Sequence, residues 1–123
     1  MDRVVTFLMT QNPEAAIPFY RDKLSLKFLR DDGFALVFDM NSVMLRIAKT
    51  RSFTPAPSTV LGWEASDIGA AVKRLEKRGV TFERYPNMGQ DEQGVCTFPN
   101  GDKVAWFKDP DGNVLSISQH AAV

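Results

Sequence analysis

The stretch Val4-Val5-Thr6-Phe7-Leu8-Met9, followed by Asn12-Pro13-Glu14, decides the fold, because its order returns at Val60-Leu61-Gly62-Trp63-Glu64-Ala65 followed by Ser66. The first run is rich in β-branched and large apolar residues and reads as a strand. Asn12 can cap a helix, Pro13 carries the fixed φ favoured at the first helical position, and Glu14 meets the positive end of the helix dipole. Ile17, Tyr20 and Leu24 give that helix an apolar face. Pro18 lies one turn in and lacks a backbone donor, so a tight or kinked first turn is expected.

Three strands follow, at 26–29, 34–38 and 43–48. Asp31-Asp32-Gly33 and Asp39-Met40-Asn41-Ser42 supply the turn chemistry between them. Residues 50–58, with Pro55 and Pro57, form a linker without periodicity. The order then repeats. A strand at 60–65 leads to a helix capped by Ser66, with Ile68, Ala71, Val72 and Leu75 on one side and a stop at Gly79. Strands are predicted at 80–84, 95–98, 104–108 and 114–118, with a detour at 85–94. Pro99-Asn100-Gly101-Asp102 and Asp109-Pro110-Asp111-Gly112 make the last two turns.

The chain therefore reads as one domain over 1–123, with module 1 at about 1–49, the linker at about 50–58 and module 2 at about 59–120. The predicted class is α+β: two tandem βαβββ modules whose mixed sheets surround a cavity. Each module is too small to close a core alone, and two sheets placed edge to edge leave a hollow where a small ligand would go.

The chain has 123 residues, with 15 basic and 15 acidic side chains, so the net charge is zero. Interspersed charge argues against a nucleic-acid partner, which needs a one-sided basic surface. The basic run Lys73-Arg74-Leu75-Glu76-Lys77-Arg78 falls where a helix C-terminus complements the dipole. No apolar run approaches the roughly 20 residues of a membrane-spanning helix. The start of the chain reads as strand rather than signal peptide. A lone cysteine, Cys96, suits a reducing cytoplasm, and its apolar neighbours favour a buried thiol over a nucleophile.

The repeat, the segment Pro13-Glu14-Ala15-Ala16-Ile17-Pro18-Phe19-Tyr20-Arg21-Asp22-Lys23-Leu24, the segment Trp63-Glu64-Ala65-Ser66-Asp67-Ile68 and the ending Trp106-Phe107-Lys108-Asp109-Pro110-Asp111-Gly112-Asn113 together resemble the vicinal oxygen chelate superfamily. That group includes glyoxalase I, extradiol dioxygenases, fosfomycin resistance enzymes and bleomycin resistance proteins. The resemblance runs from Val4 to Gln119, and its motifs identify a fold better than an activity. It implies a homodimer, since chains of this length in the superfamily often pair.

The resemblance also implies a divalent metal held by His and Glu from the first and last strands of each module. In this sequence those positions fall on Val5, Arg46, Val60 and Ser116. Valine offers no lone pair, a guanidinium repels a cation, and a single hydroxyl is a weak ligand. His120, the one histidine, stands near the C-terminus without a metal-spaced neighbour. No metal and no cofactor are expected at the usual place.

The ligand-bearing side of the strands is the concave side in the superfamily. Alternation then lines the hollow with Val5, Phe7 and Met9, with Met44, Arg46 and Ala48, with Val60, Gly62 and Glu64, and with Val114, Ser116 and Ser118. The predicted ligand-binding set is Phe7, Met9, Met44, Arg46, Val60, Glu64, Ser116 and Ser118. Arg46 is expected either to pair with Glu64 or to meet an anionic or carbonyl group of a ligand. Trp63 faces the helix, while Trp106 and Phe107 precede the turn and face opposite sides, with the order between them open. Met88, in the 85–94 loop, can close over a ligand if that loop is more than plain surface.

Three functions stay open. One is metal-free binding of a small hydrophobic or aromatic molecule, as bleomycin resistance proteins do by sequestration. The alternatives are an enzyme of glyoxalase or dioxygenase type using non-standard metal ligands, or a metal-free enzyme using Arg46 or Glu64. Binding is the reading adopted, with no catalytic residue assigned.

Overall fold

In a computed structural model that describes residues 1–121, the chain forms two compact units, Met1–Pro55 and the remainder from Ala56. The first unit runs β1 (Val5–Thr10), α1 (Pro13–Pro18), a π-helical segment (Phe19–Lys23), β2 (Lys27–Asp31), β3 (Ala35–Met40) and β4 (Val43–Lys49). Its sheet has the order β1-β4-β3-β2. β1 lies parallel to β4, and β3 is antiparallel to both β4 and β2.

Asn12 caps α1 as expected, its side-chain oxygen accepting from the Ala15 amide at 3.3 Å. Pro18 does not tighten the first turn. It ends α1, and the chain widens after it, the Leu24 amide reaching back five residues to the Phe19 carbonyl. Proline has no amide to continue the α pattern, and a wider turn uses the remaining donors. This carries Phe19 and Tyr20 inward, where Tyr20 meets Phe38 at 5.8 Å between ring centres. Leu8, Leu36, Phe38, Leu45 and Ile47 complete this buried core. Each such side chain contributes roughly 1.5–3 kcal/mol of burial.

The second unit runs β5 (Leu61–Glu64), α2 (Ile68–Lys77), β6 (Cys96–Thr97), β7 (Lys103–Lys108) and β8 (Val114–Gln119), with sheet order β5-β8-β7-β6. β5 is parallel to β8, and β7 is antiparallel to β8 and β6. α2 is capped by Asp67 rather than Ser66: its carboxylate accepts from the Ala70 amide at 3.1 Å, one register later than predicted. Ile68, Ala71, Val72 and Leu75 are buried. Gly79, at φ +92°, ends the helix in the left-handed conformation that glycine adopts freely.

The predicted strand at 80–84 is a correction. It makes only a single bridge, Phe82 to Phe107. The side chain of Gln90 takes part of the backbone there. Its carbonyl takes the Tyr85 amide at 2.7 Å, and its NH₂ donates to the Glu83 carbonyl at 2.9 Å and the Gly94 carbonyl at 2.8 Å. Within 80–84 the Glu83 carbonyl thus goes to a side chain, while the Glu83 amide still reaches the Trp106 carbonyl at 2.7 Å. Arg84 donates to the carbonyls of Asp91 and Glu92 and holds the far side of the loop.

The ending Asp109-Pro110-Asp111-Gly112-Asn113 is a structural turn. Asp109 is buried, and its carboxylate accepts from the Asp111 amide at 2.9 Å, the Asn113 amide at 2.9 Å and the Asn113 side-chain nitrogen at 2.8 Å. The architecture is the predicted α+β class, with two four-stranded mixed sheets.

Candidate functional site

Each sheet has a helix-facing side and an open side, and the predicted residues fall on the open sides. In the first unit, the register sets Val5 beside Met44, Phe7 beside Arg46 and Met9 beside Ala48. Val5, Phe7 and Met9 are 39%, 65% and 49% exposed, large values for apolar side chains on a sheet. Arg46 sits among them and is bonded through Nη2 to Asp32 Oδ2 at 2.7 Å.

The carboxylate that Arg46 holds is Asp32, in the β2–β3 turn of its own unit, a partner the sequence reading did not name. The turn geometry presents it. Asp32 Oδ1 accepts from the amides of Phe34 at 3.0 Å and Ala35 at 2.9 Å, leaving Oδ2 for the guanidinium. The Arg46 hydrogen bond, followed by those two amides, lowers the Asp32 pKa to about 2. Next to it, Lys49 bonds Asp31 at 2.7 Å.

In the second unit, Gly62 lies beside Ser116 and Glu64 beside Ser118, while Trp106 lies across from Ser116 on the other flank. Trp106 is therefore on the open side. Phe107 is on the helix side, where it stacks with Trp63 at 6.4 Å and meets Phe82 edge-on at 5.4 Å. Val60 precedes β5 and is tied by its amide to the Val114 carbonyl. Ser116 is buried, Ser118 half-buried and Glu64 exposed. A β-carbon at position 62 would stand 2.7 Å from Ser116 Oγ, so only glycine leaves that hydroxyl room.

A groove of about 450 Å³ opens on this unit, lined by Pro57, Ser58, Thr59, Tyr85, Trp106 and Val114. Tyr85 meets Trp106 edge-on, ring centres 5.5 Å apart. Tyr85 is held there by the Gln90 clamp. Met88, by contrast, accepts through its carbonyl from the Cys96 thiol at 3.0 Å, and Cys96 is buried.

Sequence reasoning missed Tyr85, Asp32 and the placement of Trp106. The last was legible: a tight turn at 109–112 pairs Lys108 with Val114, and counting back two sets Trp106 against Ser116. Nothing local to Tyr85 predicts the Gln90 clamp.

The positions where the superfamily carries metal ligands hold Val5 and Arg46 in the first unit, and Val60 and Ser116 in the second. Two lack any donor atom and one is a cation already engaged by Asp32, so this donor set does not fit a divalent metal. Among the described residues no group of three or more His, Cys, Asp or Glu is placed to hold an ion. Nor, among them, is any helix long and apolar enough to cross a membrane.

Known structures share this architecture. A lactoylglutathione lyase from Agrobacterium tumefaciens superposes with a TM-score of 0.71 at 21% identity, over 94% of this chain and 91% of that one. A glyoxalase/bleomycin resistance protein/dioxygenase from Nocardioides gives 0.72 at 18% identity, over 95% and 82%. Another from Alicyclobacillus acidocaldarius gives 0.72 at 18%, over 98% and 92%. At such identities the likeness is one of fold. No curated protein matches the chain in sequence. The sequence profile of the Glyoxalase/Bleomycin resistance protein/Dioxygenase superfamily matches residues 1–117, and the chain belongs to that superfamily.

Proposed function

We propose that this protein binds a small, flat, hydrophobic or aromatic molecule by shape and organic contacts, without a metal at the superfamily's usual position. The observation that carries the reading is the groove beside Trp106 and Tyr85, an aromatic pair held at right angles by a clamped loop. A planar ligand stacked on Trp106 would gain both apolar burial and ring contact. The exposed Phe7 and Met9 and the half-buried Met44 give the first unit a second apolar surface of the same character. Arg46 supports the reading as a neutralised cation that can still present guanidinium edges to a carbonyl or carboxylate. The homodimer belongs to the same proposal, since Phe7 on edge strand β1 is surface that a second copy would cover.

The test is a fluorescence and thermal-shift titration with acridine and 8-anilinonaphthalene-1-sulfonate. A ligand at 100 times its Kd should raise stability by about 2.7 kcal/mol. Trp106→Ala should weaken binding about 30-fold, the loss of one large ring contact. Trp63→Phe, on the helix side, should leave affinity unchanged. Equal affinity in Trp106→Ala would overturn the groove, and stoichiometric zinc, nickel, manganese or iron(II) in equilibrium dialysis would overturn the metal-free part.

A further inference from the structure

At the end of β8, three side chains form a relay, two of them, His120 and Asp102, outside the predicted ligand-binding set. Ser118 Oγ lies 2.9 Å from His120 Nε2, and His120 Nδ1 lies 3.0 Å from Asp102 Oδ2. The β7–β8 register produces this arrangement. Lys103 pairs with Gln119, so Asp102 comes opposite His120, and Ser118 and His120, two apart, share the open side. Asp102 is fixed in turn, its other carboxylate oxygen accepting from the Ala121 amide at 2.9 Å.

We propose that Ser118, His120 and Asp102 form a nucleophile–base–positioning relay that hydrolyses activated esters of small carboxylic acids. The roles follow from donor and acceptor chemistry. A carboxylate only accepts, so a neutral His120 must place its proton on Nδ1, leaving Nε2 as the acceptor for the Ser118 hydroxyl. The carboxyl of Asp102 is held below the usual carboxylate range, first by the Ala121 amide and then by His120, which keeps it ionised for this task. The His120 side chain is 50% exposed, so substrate can reach the relay.

In the first step the Ser118 oxygen bonds to the acyl carbon while Nε2 takes the hydroxyl proton. The carbon–oxygen bond to the alcohol breaks, and the alcohol leaves with that proton. Water then attacks the acyl–serine, Nε2 accepts its proton, and the carboxylic acid departs as the proton returns to Oγ. The sum is ester plus water giving acid plus alcohol. Aryl esters suit the relay because the aryloxide departs readily and needs the least proton help from Nε2.

The experiment uses the full chain with 4-nitrophenyl acetate and, separately, diisopropyl fluorophosphate. The expected result is an acetyl or phosphoryl group on Ser118 by peptide mass spectrometry. Ser118→Ala and His120→Ala should each lose about 100-fold or more in kcat/KM, the scale of general-base assistance. Ser118→Cys preserves size and guards against misfolding, and it should accumulate the acyl-enzyme. Asp102 is a positioning residue. Asp102→Asn should lower kcat with little change in KM, because the imidazole loses the carboxylate that orients it, and Asp102→Glu should restore part of the rate. Labelling elsewhere, or an unchanged rate in Ser118→Ala, would overturn the relay and reduce it to a hydrogen-bond chain that pins the end of β8. A full kcat in Asp102→Asn, or a loss that Asp102→Glu does not partly restore, would overturn the role of Asp102. The groove beside Trp106 is untouched by either outcome, since acridine binding reads it separately.

Discussion

In the first unit the position beside Arg46 is filled by Phe7, 65% exposed, whereas the matching position beside Ser116 in the second unit is Gly62, with no side chain. The partners differ too. Arg46 is tied to Asp32 across a turn, while Ser116 stands beneath glycine and opposite Trp106. The first unit keeps four full strands and builds a greasy surface around one neutralised cation. The second reduces one strand to Cys96–Thr97 and gives the chain instead to a clamped loop that delivers Tyr85. One order of elements thus supports two open faces of different chemistry, and the second is the one with an aromatic groove.

The largest way to break the comparison lies in the turns. Asp109 is buried with three short hydrogen bonds, while Asp39, in the corresponding turn of the first unit, is half-buried and accepts from the Ser42 amide at 3.2 Å. Asp109→Ala leaves buried donors unsatisfied and should cost about 3 kcal/mol in urea unfolding; Asp39→Ala should cost about 1 kcal/mol or less. Equal losses would mean that the two turns do the same work, against the difference in burial.

A middle-sized effect tests the glycine. Gly62→Ala sets a β-carbon 2.7 Å from Ser116 Oγ and 3.2 Å from the Ser116 carbonyl oxygen. Overpacking of this kind should destabilise by about 1–2 kcal/mol. Adding Ser116→Ala removes the closer clash and should recover part of the loss, a coupling visible in a double-mutant cycle. An additive cycle would show that Ser116 can rotate away freely, and the second unit's face would then tolerate a side chain as the first unit's does.

Much of this was legible in the chain. The Asn12 cap, the apolar stripe of Ile68, Ala71, Val72 and Leu75, and the alternation that put Phe7 and Arg46 on one side all follow from local pattern. Apart from two local readings, the α2 cap at Asp67 rather than Ser66 and the widened helix after Pro18, what failed depended on a side chain reaching across sequence. Asp32 reaches Arg46 because turn amides orient it, and Gln90 takes the Glu83 carbonyl of a predicted strand from within a loop. His120 was set aside as a tail residue, although the register of the last hairpin places it opposite Asp102. Periodicity reports which side a residue faces; it does not report which distant polar group will arrive there.

The smallest expected effect concerns acid, and it probes the ion pair of the first unit. Asp32 has a folded pKa of about 2 against an ordinary 3.8, because Arg46 and two amides favour its charged form. A carboxyl depressed in this way stabilises the fold above the unfolded value, and that contribution fades as pH falls through the folded one. The loss should therefore run from about pH 4 down to about pH 2. Asp32→Asn keeps an oxygen for the Phe34 and Ala35 amides but removes the charge, so it should flatten stability across that window at little other cost. Raised salt should narrow the difference, since both partners are partly exposed. The check is urea unfolding of both proteins at several pH values, with carbon-detected NMR titration of the carboxyl. A carboxyl titrating near 3.8 would show that Arg46 is free of Asp32 in solution, and the first unit would then present a full positive charge among Phe7, Met9 and Met44.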